Sequence, residues 1–117
     1  MHERSLVAAI LAQVTELAEQ EQACAVQVVH IRVGAFAGVD AELFRLALAD
    51  TPKSPLFATT VYDLIETPLI ATCCHCSRRF EVANHSFRCP LCCSSEVEIV
   101  DGDAVILEDV ELLLPST

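Results

Sequence analysis

Six of the seven cysteines lie between residues 73 and 93, and four of them form two C-x-x-C pairs. The pairs are Cys73 with Cys76 and Cys89 with Cys92, and twelve residues separate them. A C-x-x-C loop lets two thiolates reach one metal ion, and two such loops complete a tetrahedral site. Because four sulfur ligands leave no open coordination position, this spacing predicts a structural zinc site with these four residues as ligands.

The two cysteine pairs could also bind iron, carry out redox chemistry or form disulfides. Rubredoxin-like iron takes the same four ligands, but the absence of an aromatic shell favours zinc. A redox C-x-x-C centre needs one pair at the start of a helix that follows a strand, whereas both pairs here lie in hairpin-like surroundings. A closed disulfide framework fits poorly with an odd number of thiols.

Three further cysteines and two histidines are not part of the C-x-x-C pairs. Cys74 and Cys93 could replace a neighbouring ligand, but Cys74/Cys76 would be too close and Cys89/Cys93 one residue too long, so both are expected to be free thiols. Cys24 is expected to be a small buried apolar residue. His75 and His85 are expected to be exposed loop histidines, with a reserve ligand role as the alternative.

The sequence Met1-His2-Glu3 permits a second kind of metal chemistry. A bulky second residue hinders removal of Met1, so its amine stays one residue before the histidine. That amine, the His2 backbone nitrogen and the His2 imidazole can chelate one ion, and the Glu3 amide can close a square plane. Square-planar nitrogen donors select Ni(II) or Cu(II) over zinc.

Length, charge and hydrophobic content limit the possible domain organisation and exclude several classes of function. At 117 residues with 53% hydrophobic residues, the chain can hold one ordinary domain, or a small domain plus a module cross-linked by a metal ion. A net charge of −10 opposes binding to nucleic acid. The early apolar run at residues 6–12 is too short for a membrane span and lacks the features of a signal peptide, so a cytoplasmic, reducing location is expected. No arrangement of catalytic residues stands out, so the chain is not expected to be an enzyme.

The first half of the chain predicts a helix, a strand and a second helix. Apolar residues at three- and four-residue spacings predict an amphipathic helix over residues 4–22. The β-branched run at 25–34 predicts a buried strand with Val29, Ile31 and Val33 on one face. Asp40 is a plausible N-cap for a helix that continues to about Ala49. The inward residues predicted for this helix are Leu43, Leu46 and Ala47.

The second half predicts short strands around the cysteines, at residues 59–67, 69–73, 97–100 and 104–114. Because the cysteines lie between strands, the last strand is predicted to return to the sheet formed by the first half. The fold class predicted is therefore α+β, with the cysteine module inserted into a two-helix and β-sheet domain.

Taken in order, these segments resemble one known family. M-H-E followed by Ser-Leu and a long helix, then IRVGAFAGVD, then the two cysteine pairs with FEV and FRCPLC, is similar to the HypA/HybF family of hydrogenase nickel-incorporation proteins. The resemblance extends over nearly the whole chain. It implies a nickel-binding domain at residues 1–70 plus 102–117 and a zinc-ribbon domain at 71–101.

The resemblance also implies a function, a nickel site and partners. It implies a nickel metallochaperone for [NiFe] hydrogenase maturation that binds nickel through Met1, His2 and Glu3. The implied partners are a GTPase accessory protein, the hydrogenase large subunit and, in some organisms, the urease system, with no nucleic acid and no membrane. The alternative is a zinc-ribbon module that contacts protein or nucleic acid.

The chain departs from the family pattern at two places. Ser77 and Cys93 stand where the family's cysteine loops usually have glycine, and a left-handed backbone there costs a non-glycine residue about 1 kcal/mol or more. The final strand, DAVILEDVELLL, is acidic where relatives tend to carry basic residues. Partner-contacting residues are therefore not carried over from the family.

Overall fold

The computed structural model of the chain describes residues 2–84 and 86–116. These residues form two α-helices, one short 3₁₀ turn and six β-strands. In chain order they are α1 (His2–Gln20), β1 (Ala25–Gly34), α2 (Ala41–Asp50), the 3₁₀ turn (Pro55–Phe57), β2 (Val61–Thr67), β3 (Ile70–Cys73), β4 (Arg79–Glu81), β5 (Val97–Asp101) and β6 (Val105–Leu113). The fold class is α+β, as predicted.

The first sheet has the strand order β2-β1-β6. The central strand β1 pairs with β2 in parallel and with β6 antiparallel. The predicted return of the last strand to the first sheet is therefore confirmed. The β1–β6 register shifts at two places, and at one of them Glu108 is the extra residue on β6. Such bulges twist an edge strand and disfavour unwanted pairing along it.

One face of this sheet is covered by the helices and forms the main core. Val29, Ile31 and Val33 of β1 are buried on this face, as the period-two pattern predicted. From α1, Val7, Ile10, Leu11, Val14 and Ala18 are buried against the same core. The other face of the sheet carries His30 and Arg32 from β1, because side chains alternate along a strand.

The second helix begins as predicted but turns a different face to the core. The Asp40 side chain accepts hydrogen bonds from the amides of Glu42 and Leu43, which confirms the N-cap. The prediction that Leu43 and Leu46 point inward is wrong, since they are 51% and 58% exposed. The buried residues of α2 are Phe44, Ala47 and Leu48. Positions i, i+3 and i+4 form one stripe, and the large Phe44 ring selects the stripe that is buried.

Cys24 also differs from its prediction, because it is exposed. It lies in the connection between α1 and β1, where its amide donates to the carbonyl of Leu113 at 2.7 Å. The backbone pairing to the end of β6 is thus satisfied, while the thiol lies outside the core. The small apolar character of cysteine does not determine its burial at the end of a strand.

The second sheet has the order β4-β3-β5 and a small core of its own, formed by Leu69, Ala71 and Val82. Gly102 lies where the two sheets meet and has a φ of +90°. A Cβ at this position would stand 2.1 Å from the carbonyl oxygen of Pro68, so the close approach requires glycine. The division into domains at residues 70/71 and 101/102 stays a prediction.

Among the described residues, neither helix is both long enough and apolar enough to cross a bilayer.

Candidate metal centre

The sulfurs of Cys73, Cys76, Cys89 and Cys92 converge at one end of the second sheet. All four lie within 4.8 Å of one another. The Sγ atoms of Cys73 and Cys92 are 3.5 Å apart, as are those of Cys76 and Cys89. Four sulfurs placed about 2.3 Å from one zinc ion at tetrahedral angles would be separated by roughly 3.8 Å. The spacing and the donor type therefore fit a tetrahedral zinc site.

The two cysteine loops have matching backbone geometry. The amide of Ser77 donates to the Cys73 carbonyl at 3.0 Å, and the amide of Cys93 donates to the Cys89 carbonyl at 2.9 Å. Ser77 and Cys93, the closing residues, both have left-handed backbones, with φ of 62° and 63°. Each turn is thus closed by a residue in the conformation that glycine adopts at least cost.

Backbone amides in these loops point at the first sulfur of each pair. The Cys73 sulfur accepts from the amides of His75 and Cys76 at 3.4 and 3.5 Å, and the Cys89 sulfur accepts from the amide of Leu91 at 3.4 Å. Such donors stabilise a thiolate, which is the form that binds metal. The arrangement therefore prepares Cys73 and Cys89 for ligation.

The pKa values of the four thiols follow from these contacts. The Cys76 amide lowers the pKa of Cys73, and the Cys92 amide lowers that of Cys89 to about 6. Although the Ser94 amide opposes it, the sulfur of Cys73 and burial raise the pKa of Cys92 to about 12. The pKa of Cys76 is also raised, because its neighbours Cys89 and Cys73 and burial outweigh the Arg78 amide. The first cysteine of each pair is therefore more acidic than the second.

The cysteines and histidines that flank the two pairs are not part of the four-sulfur group. Cys74 and Cys93 are exposed, and they do not belong to the four-sulfur group. His75 is exposed, as expected for a loop histidine, and its Nε2 lies 3.2 Å from the carboxylate of Glu96. His85 lies outside the described residues.

Of the residues predicted to bind nickel, His2 and Glu3 are the first two residues of α1. Met1 and the side chain of His2 lie outside the described part of the chain, so their predicted role stays a prediction. Glu3 is in the first turn of α1, and its carboxylate accepts a hydrogen bond from the Asp40 amide at 3.3 Å. Hydrogen bonds from the backbone amides of Glu3 and Asp40 lower the pKa of this carboxyl group. The contact attaches the start of α1 to the start of α2.

A cluster that the sequence reasoning missed lies on the open face of the first sheet. His30 is at the centre of β1, with Asp63 of β2 on one side and Asp109 of β6 on the other. Its Nδ1 is 2.9 Å from Asp63, and its Nε2 is 2.7 Å from Glu111. The partners are 33 and 81 residues from His30 in the chain, so no local spacing reveals the cluster. A usable signal was the alternation of polar with apolar residues along β1.

Comparisons with known proteins place the chain beside nickel-incorporation proteins. A family model described as hydrogenase/urease nickel incorporation, metallochaperone, hypA, matches residues 1–112. The hydrogenase maturation factor HypA of Chlorobium phaeobacteroides is 30% identical over 112 residues, covering 96% of this chain and 99% of that relative. HypA of Nitrosospira multiformis is also 30% identical, covering 97% of this chain and 98% of that relative.

Two solved structures have a similar fold. The solution structure of the nickel metallochaperone HypA from Helicobacter pylori has a TM-score of 0.71 and 26% sequence identity, and the similarity covers 97% of this chain and 98% of that one. Another HypA solution structure has a TM-score of 0.75 and 27% identity, with 98% of each chain covered. The similarity in both cases includes the helical part and the cysteine-bearing part.

Proposed function

Since the chain belongs to the HypA family of hydrogenase and urease nickel-incorporation metallochaperones, we propose that it binds Ni(II) at its N-terminus and delivers it during [NiFe] hydrogenase maturation. The observation that carries this proposal is the family match over residues 1–112. That range contains both the Met-His-Glu sequence and all four clustered cysteines. Neither metal region is therefore missing from the matched part.

The nickel ligands proposed are the amine of Met1, the backbone nitrogen and imidazole of His2, and the amide of Glu3. Glu3 lies in the first turn of α1, where a backbone amide has no carbonyl four residues earlier in the helix to donate to, so nickel binding by its amide breaks no i→i−4 hydrogen bond of α1. Nickel bound at a helix terminus can exchange its ligands one at a time with a recipient. The pH dependence of binding should be steep, because backbone amides must lose a proton.

The proposed role of the cysteine cluster is structural. Cys73, Cys76, Cys89 and Cys92 would hold Zn(II), which supplies a cross-link between the two loops when bound. Among the described residues outside the cysteines, the core of the second sheet has three buried hydrophobic residues, Leu69, Ala71 and Val82, with three partly buried ones packed against them. A core of this size cannot stabilise a module alone, so a metal cross-link is needed.

The partners proposed are a GTPase accessory protein and the hydrogenase large subunit, with the urease system as a further recipient. The family description supports hydrogenase and urease as recipient systems. The final strand of this chain carries Glu108, Asp109 and Glu111, so a partner surface that meets it should carry basic residues. No catalytic step is assigned to the chain itself.

Nickel transfer tests the proposed function directly. The zinc-loaded protein is loaded with one equivalent of Ni(II) and mixed with the immature hydrogenase large subunit and the GTPase, and nickel in the large subunit is measured. The His2→Ala variant is the matched control, because it alters one proposed ligand and none of the described core. Transfer is expected with the native chain and not with the variant. Equal nickel incorporation with both proteins would overturn the proposal.

A further inference from the structure

His30 has an unusual position, at the centre of the open face of the first sheet. Its ring lies between the two outer strands, with Asp63 at 2.9 Å from Nδ1 and Glu111 at 2.7 Å from Nε2. A third carboxylate, Asp109, is 3.6 Å from Nε2. The ring is only 24% exposed, while the three carboxylates are about half exposed or more.

The geometry determines the protonation state of this ring. A neutral imidazole has one N–H, and its other nitrogen can only accept a hydrogen bond. Both His30 nitrogens face carboxylate oxygens, which accept and cannot donate when ionised. Only the imidazolium form can therefore donate to Asp63 and Glu111 at the same time. A neutral ring would leave one carboxylate facing a lone pair.

The cation also balances local negative charge. The groups that face His30 are Asp63 from β2 and Asp109 and Glu111 from β6, so one imidazolium meets three carboxylates. The nearest other cation on this face of β1 is Arg32, which donates to Asp101 at 3.0 Å. Its charge is thus directed toward the end of β5 and away from the three carboxylates. Loss of the His30 proton would leave them without a central cation.

We propose that protonated His30 is a pH-sensitive clamp that holds β2 and β6 to β1 and loosens β6 when the proton is lost. These two outer strands continue into the cysteine-bearing sheet, since β2 leads into β3 and β5 leads into β6. The clamp therefore fastens both connections between the two sheets. The clamp uses none of the proposed nickel ligands.

The direction of the pH effect follows from the same contacts. Hydrogen bonds to Glu111 and Asp63 raise the pKa of His30 from 6.5 to about 8. A group whose pKa is higher in the folded than in the unfolded state stabilises the fold when protonated. The stabilisation is thus fully present below pH 6.5 and is lost as the pH rises through about 8. Added salt should weaken the clamp, because its carboxylates are largely exposed.

An NMR titration of the zinc-loaded full chain between pH 6 and 9.5 tests the clamp. The His30 ring signal is assigned by its absence in His30→Gln, and its pKa is expected near 8. In Glu111→Gln, which keeps the side-chain shape, the pKa should fall toward 6.5. Glu108→Gln is the matched control on the same strand, and it should shift the pKa much less. A native pKa at or below 6.5, or equal shifts in the two variants, would overturn the proposal.

Hydrogen exchange of the β6 amides gives a second readout. After correction for the intrinsic pH dependence of exchange, β6 protection in the native chain is expected to fall between pH 7 and 9. In Glu111→Gln and His30→Gln, protection should be lower at pH 7 and should change little with pH. Protection of β6 that is identical in the native chain and both variants at every pH would contradict a clamp.

Discussion

Ser77 and Cys93 are the residues at which the proposed zinc loops are least ideal. Both have positive φ, where a non-glycine residue loses about 1 kcal/mol or more relative to glycine. The two loops nevertheless have the closing hydrogen bonds and the amide-to-sulfur contacts that a thiolate pair requires. A metal ion bound by four sulfurs would stabilise the fold by more than this strain costs.

A pair of cysteine substitutions tests which sulfurs bind zinc. Cys76→Ser removes a member of the four-sulfur group, so zinc content should fall from one per chain to near zero and the second sheet should lose its structure. Cys74→Ser is the matched control, because Cys74 is an exposed thiol two residues away and outside the group. Zinc analysis and circular dichroism provide the measurements. Retained stoichiometric zinc in Cys76→Ser, or equal loss in both, would contradict the ligand assignment.

At the scale of the elements, α2 is the informative case. Its start was predictable, because the Asp40 side chain has a local role that needs only the two following amides. Its buried face was not, because Leu43 and Leu46 form an apolar stripe next to the one that contains Phe44. Which stripe packs depends on the sheet beneath the helix, and local periodicity cannot show this.

Substitutions on the two stripes of α2 should differ sharply. Phe44→Ala removes a fully buried ring and should lower the free energy of unfolding by about 3–5 kcal/mol. Leu46→Ala, on the exposed stripe, should change it by no more than about 0.5 kcal/mol. Urea unfolding of the zinc-loaded chain measures both. Similar losses in the two variants would mean that the helix packs in another orientation.

The strands were largely predictable, as was the return of the last strand to the first sheet, but the register between the strands was not. The alternation of Val29, Ile31 and Val33 indicated which face of β1 is buried, and the β-branched composition located the strand. The pairing of His30 with Asp63 and Glu111 depends on the register between distant strands, which no local pattern specifies. Exposure of Cys24 likewise depends on where the end of β6 pairs with the chain. The cysteine cluster was predictable because each pair of its ligands is only three residues apart in the sequence.

At the scale of the whole molecule, the chain is elongated. Its radius of gyration is 17.9 Å, whereas a compact domain of this length would have about 13 Å. Two separate hydrophobic cores account for the difference, the larger under α1 and α2 and the smaller beside the cysteines. The close approach of Gly102 to Pro68 and the edge-to-face contact of Phe36 with Phe87 lie between the two parts.

The proposed sites for the two metals lie in different parts of the chain. His2 and Glu3, two of the proposed nickel-binding residues, begin α1, which packs on the larger core, and the cysteine cluster is on the smaller sheet. Removal of nickel ligands should therefore leave zinc content and folding unchanged. The mobile cargo and the resident ion would then be separable by substitution, which is what a delivery protein requires.

Isothermal titration calorimetry of Ni(II) into the untagged, zinc-loaded chain is the most direct test of this account. The native chain is expected to bind one Ni(II), whereas His2→Ala and a chain with a blocked amine are expected to bind it far more weakly. Even the outer partners of metal ligands contribute about 10- to 100-fold in affinity, so loss of a ligand should exceed this. All three proteins should retain one zinc per chain. Nickel affinity that is unchanged in both altered proteins would contradict the proposed site.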